Sequence, residues 1–153
     1  MKNLLYVFGI SILPVVELRA AVPVGAALGL PFYENLPAAI LGNLLPVPFI
    51  LLFIPKILDW MEKINFFRPI VAWLRRLADK KSDKILKSAF VGLLLFVMIP
   101  CPGTGAWTGS LVASLFDMPK RTSFLAVTLG VLGCAAIMGL ASYGVLGFLN
   151  FLL

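Results

Sequence analysis

"ILPVVELRAAVPVG", residues 12 to 25, reads as a membrane helix with a fault in it. Apolar residues lead up to Val16, Glu17 and Arg19 intervene, and apolar residues resume, with Pro14 and Pro23 on either side. An isolated charge at the centre of a bilayer costs about 2.5–3.5 kcal/mol on insertion scales. The rest of the chain must therefore supply a setting that makes this pair tolerable.

That setting is apolar. The hydrophobic fraction of the 153 residues is 61% and the mean hydropathy is +1.02, above the ordinary globular range. No Asp, Glu, Lys or Arg occurs from Ala89 to Phe116 or from Thr122 to Leu153. Uncharged apolar runs longer than about 18 residues are read as membrane-embedded. The N-terminus does not read as a signal peptide, because its apolar stretch continues past any cleavage site into Glu17 and Arg19. Cys101 and Cys134 stand at no metal or redox spacing, and there is no His. That pattern gives no support for a zinc site, a Cys–His nucleophile or a His-based proton relay, and no metal or cofactor is expected. With a single acid in the expected embedded segments, an enzyme acting on a lipid phosphate is disfavoured.

The net charge of +6 does not point to nucleic acid, because nine of the thirteen Lys and Arg residues fall between Lys56 and Lys87. Within this segment Ile70, Trp73, Leu74 and Leu77 follow an i, i+3, i+4, i+7 pattern, with Arg75, Arg76, Lys80 and Lys84 on the other face. The pattern predicts an amphipathic helix at the membrane surface. The bias of basic residues places residues 56–87 in the cytoplasm.

A weak repeat is visible at an offset of 88: "LGLPFYENLPAAILG" (28–42) lies over "FDMPKRTSFLAVTLG" (116–130), matching Pro31 with Pro119, Ala38 with Ala126, Leu41 with Leu129 and Gly42 with Gly130. The first junction carries only Glu34, whereas the second carries Lys120 and Arg121. The first would face out and the second in, so the halves would be inverted relative to each other, as in many secondary transporters. The expected fold is an all-α integral membrane protein, one domain of residues 1–153. Repeat 1 (1–55) holds a hairpin at about 4–30 and a span at about 36–55; residues 56–87 are the cytoplasmic segment; repeat 2 (88–153) holds a hairpin at about 89–116 and a span at about 122–148. Each arm of the second broken segment has about a dozen residues, which at 1.5 Å per residue reaches only part-way across a bilayer. A re-entrant hairpin fits that reach; for residues 4–30 an ordinary span is the alternative. Whether 122–153 forms one helix or two stays open.

Two hairpins entering from opposite faces would meet near the midplane, where non-helical backbone must be buried in protein or line a wet cavity. Glu17 and Arg19, two apart, serve one cavity only if the backbone unwinds there, which Pro23 encourages by clashing with the Arg19 carbonyl. Arg19 suits an anionic headgroup; Glu17 suits a proton acceptor or a partner for Arg19. At the other tip Gly103 and Gly105 allow close approach, Thr104 and Thr108 offer donors to an oxyanion, and Trp107 offers a surface for a lipid tail. The bland alternatives are a fixed ion pair that pins the hairpin and a self-satisfied turn.

The stretches "ELRAAVPVG" (17–25), "RPIVAWLRRLADKKSDKI" (68–85) and "IPCPGTGAWTGSLVA" (99–113) together resemble the bacterial small multidrug export protein family, itself regarded as a distant relative of the DedA, or VTT-domain, membrane proteins. The resemblance implies two inverted repeats, each a re-entrant hairpin followed by a span. For the wider superfamily it implies lipid translocation. It places Glu17 and Arg19 at the first tip and Pro100, Pro102, Gly103, Thr104 and Gly105 in the second turn; the chain is shorter than a typical DedA protein. The expected function is a flippase-like transporter in the bacterial cytoplasmic membrane, moving a polyprenyl phosphate, phospholipid or other anionic amphiphile, with coupling to protons as an option. Efflux of small hydrophobic drugs and a non-transporting assembly role are the alternatives. Membrane lipids are the expected partners, and the small-residue-rich spans are compatible with a homodimer.

Overall fold

The structure is a computed structural model that describes residues 1–64, 83–101 and 103–152, with positions 69 and 72. The basic amphipathic segment expected within 56–87 falls largely outside the described residues, as does Pro102. The described elements are helices: α1 (Lys2–Ile12), α2 (Glu17–Ala27), α3 (Phe32–Leu44), α4 (Pro46–Glu62), α5 (Asp83–Met98), α6 (Ala106–Leu115) and α7 (Lys120–Leu152).

Pro14 ends α1, because the residue before a proline is pushed out of the helical region. Leu13 accordingly adopts an extended conformation, φ −68° and ψ 133°. The chain turns over 13–16 and re-enters a helix at Glu17, whose φ of 52° lies in the left-handed region. Here the structure corrects the expectation that Pro23 unwinds the backbone around Glu17 and Arg19. The unwound residues precede Glu17, and α2 runs as a helix through Pro23. The second break takes in residues 99–101 and 103–105, with Gly103 at φ 83° and Gly105 at φ 122°.

Two stretches are long and apolar enough to cross a membrane, Phe32–Glu62 and Lys120–Gly144. The first joins α3 to α4 through Leu45, which keeps helical angles (φ −56°, ψ −45°) in front of Pro46 and Pro48. It therefore extends beyond the expected 36–55 into the segment assigned to the cytoplasm. The second is one continuous helix, α7. Large apolar side chains lie exposed on both, including Leu41, Phe49 and Phe53 on the first and Leu125, Leu129 and Leu140 on the second. Such surfaces suit lipid rather than water.

The broken helices wrap around these spans. Helix α1 packs on α2 and α3, and α5 packs on α7; α2 crosses to α7 while α6 crosses to α4. Many contacts recur 88 residues apart. Helix α2 closes with Leu30 N–H donating to Gly25 C=O (3.0 Å), and α6 with Met118 N–H donating to Ala113 C=O (2.9 Å). The residues that turn these corners, Gly29 and Asp117, both have positive φ, 74° and 49°. The next helices open alike, with Asn35 N–H on Pro31 C=O (3.0 Å) and Ser123 N–H on Pro119 C=O (2.9 Å).

Helix contact is similar at two glycines 88 residues apart, whose partners lie 86 apart. A methyl group on Gly42 would lie 2.5 Å from the Phe8 carbonyl and 3.0 Å from Ser11 Cβ; one on Gly130 would lie 2.8 Å from the Leu94 carbonyl and 2.7 Å from Val97 Cβ. In both halves glycine lets a span approach the backbone of the broken helix before it. Replacing Gly130 with leucine is expected to cost about 1–3 kcal/mol by overpacking. Gly144, which has open space around it, should accept leucine with little change. Thermal unfolding in detergent checks both.

Candidate functional site

The two breaks meet. Glu17, at the start of α2, is 3% exposed, and its carboxylate accepts a hydrogen bond from the Trp107 amide (3.1 Å) in the first turn of α6. The first amides of a helix lack intrahelical partners and carry a partial positive charge, so a carboxylate there satisfies a donor and complements the dipole. Gly105, the residue before α6, packs directly on that carboxylate. A Cβ at this position would overlap the Glu17 oxygens, and its φ of 122° favours glycine independently.

Arg19 performs the opposite task at the end of α5. Its Nη1 donates to the carbonyls of Cys101 and Thr104 (2.8 Å), and its Nη2 to the carbonyl of Ile99 (3.1 Å) and to Thr104 Oγ1 (2.5 Å). The planar fork of donors thus gathers the carbonyls of the turn that follows α5, and the end of a helix is where a positive charge is favoured. Thr104 Oγ1 lies 2.9 Å from both the Ile99 and Cys101 carbonyls and tightens the same turn. Trp107 returns the contact, its indole N–H donating to the Ile12 carbonyl at the end of α1 (2.9 Å).

Of the residues singled out in the sequence, Glu17, Arg19, Thr104, Gly105 and Trp107 come together in one cluster. Gly103 supplies a left-handed corner of the same turn. Pro23, Pro100 and Thr108 lie on the same elements but make none of these contacts. The Thr104 hydroxyl and the Trp107 indole, read as contacts for a ligand, are turned onto backbone carbonyls. Arg19 engages backbone and Thr104 rather than forming a simple pair with Glu17.

Sequence reading missed two features. Cys134 of α7, buried at 4% exposure, sits close enough to Arg19 to interact with it. Asn35, fully buried in α3, donates to the Val22 carbonyl (2.8 Å) and to the Tyr143 hydroxyl (2.9 Å), which itself donates to the Leu30 carbonyl (2.8 Å). An amide and a phenol inside otherwise apolar spans were the available signal.

One family profile, described as "Putative small multi-drug export protein", matches residues 17–137. The chain belongs to this family. The match begins at Glu17, just after the first break, and takes in the second break and most of both spans. Together with the long apolar helices it identifies a membrane protein of an export family. No curated protein and no solved structure matches the chain.

The cluster's geometry sets its stability. Arg19→Lys keeps the charge but loses the fork that reaches several acceptors, and should lower stability by about 1.5–3 kcal/mol. Gly105→Ala should cost about 1–3 kcal/mol from its backbone conformation alone. Denaturation of each variant in detergent against wild type measures both.

Proposed function

We propose that this export-family protein is a transporter built of two inverted repeats, in which each broken helix pair is a re-entrant hairpin and the tips meet near the membrane midplane. The substrate is an anionic amphiphile, a polyprenyl phosphate or a phospholipid, and its acidic headgroup takes the place of the Glu17 carboxylate. The observation that carries this reading is that a carboxylate, the protein's own, already sits on the opening amides of α6 beside Arg19. Groups that hold one anion can hold another of similar charge. Exchange requires Glu17 to leave the helix end, and taking up a proton releases it. Arg19 then trades carbonyl contacts for the headgroup. Proton coupling follows from that exchange.

In this reading residues 56–87 face the cytoplasm and the protein resides in the bacterial cytoplasmic membrane, by the distribution of basic residues. Inverted topology agrees with the recurrence of contacts 88 residues apart and with the exchange of α2 and α6 between the two spans. The kinship with DedA-type lipid translocators read from the tip motifs points to the same substrate class.

The family description favours a second reading, efflux of small hydrophobic compounds. Reconstitution into liposomes separates the two. Wild-type protein should move fluorescent phospholipid or a short-chain polyprenyl phosphate, and Glu17→Gln and Arg19→Lys should each slow this at least tenfold. Movement of a dye by protein inert towards both lipids decides for efflux. Inertness towards all three, with normal folding, decides for an assembly role.

A further inference from the structure

A cavity of about 230 Å³ lies between α4 and the corner joining α6 to α7, about 10 Å along α6 from the Glu17 contact. Leu51 and Pro55 form one wall and Ser114 and Met118 another. The exposed residues Asp117, Pro119 and Lys120 mark its mouth.

Each of these residues has a counterpart 88 positions away, and one of the counterparts is a tyrosine. Pro55 corresponds to Tyr143 and Leu51 to Gly139; Met118 corresponds to Leu30 and Lys120 to Phe32. In that half, the Tyr143 ring meets Phe32 edge-on at 5.4 Å between centroids. Its hydroxyl donates to the Leu30 carbonyl (2.8 Å) and accepts from Asn35 (2.9 Å). Gly139 opens the space beside it, lying against Phe32 and Leu36. The helix closures on the two sides match, Leu30 N–H to Gly25 C=O and Met118 N–H to Ala113 C=O. The carbonyl of Met118 therefore stands where that of Leu30 receives the tyrosine hydroxyl. The proline at position 55 provides no aromatic ring or hydroxyl to fill the corresponding space.

We propose that this cavity is a binding site for a one-ring hydroxylated aromatic, a phenol, seated as Tyr143 is seated in the other half. The site is separate from the tips and does not rest on the transport reading. Its volume suits the ligand, since apolar cavities of about 150 Å³ take benzene. The ring lies against Leu51 and Pro55, facing Ser114 and Met118, and its hydroxyl donates to the Met118 carbonyl. Lys120 stands in the position of Phe32, so an ammonium replaces an aromatic edge as the neighbour of the ring, a cation–π contact.

The probe is p-cresol, the side chain of tyrosine as a free molecule, titrated into detergent-solubilised protein carrying 13C-methyl methionine, with Met118 assigned from Met118→Leu. The Met118 methyl signal should shift to saturation with p-cresol and respond at least fivefold more weakly to toluene, which lacks the hydroxyl. Pro55→Tyr supplies the missing ring and should weaken the response at least tenfold. Leu51→Trp, filling from the same wall, serves the same purpose should that variant not fold. Tyr143→Ala empties the counterpart site, and its lowered melting temperature should rise with p-cresol. A Met118 signal that does not saturate, one that responds equally to toluene, or one that survives both filling variants overturns the proposal.

Discussion

Backbone groups inside a membrane have no water to bond with, and a helix that stops there leaves carbonyls at one end and amides at the other. This protein contains two broken helices, and each break is completed by the other. The guanidinium of Arg19 collects the carbonyls beyond α5, the Glu17 carboxylate meets the first turn of α6, and the Trp107 indole reaches the last carbonyl of α1. The charges of Glu17 and Arg19 are thus matched to the partial charges of helix ends, which explains how so apolar a chain carries them.

The arrangement is reciprocal but not identical. Glu17 and Gly105 occupy equivalent positions 88 residues apart, as do Arg19 and Trp107. Glu17 and Gly105 both hold left-handed backbone angles, 52° and 122°, and they touch. Only one member of such a contact can carry a side chain of any size. Two carboxylates at that separation would also repel in a poorly screened setting. The charge is therefore concentrated in one half, and the other half contributes the space and the backbone that receive it.

The breaks themselves were legible in the sequence, because Pro14 and the Pro100–Gly109 stretch act on the local backbone. The two long spans were legible from their freedom from charge. The partners of Arg19 were not, because they are main-chain carbonyls whose position depends on how one turn docks against another. The role of Pro23 was misjudged: a proline in the first turns of a helix frees one carbonyl without ending the helix. The extent of α4 to Glu62 was hidden by Pro55 and by the charges at its end, which a helix emerging from lipid accepts. Asn35 and Tyr143 gave a signal only by their polarity, and nothing in the linear pattern paired residues 108 positions apart.

The order in which the chain is made has a consequence here. Glu17 and Arg19 leave the ribosome early, whereas their acceptors and donors lie 80 to 90 residues further on. At typical translation speeds of about 5–20 residues per second, that interval is roughly 4–18 s. Throughout it the first hairpin has neither its receiving turn nor the indole that closes α1. The contacts that hold Glu17 and close α1 therefore form only after Trp107 has been synthesised.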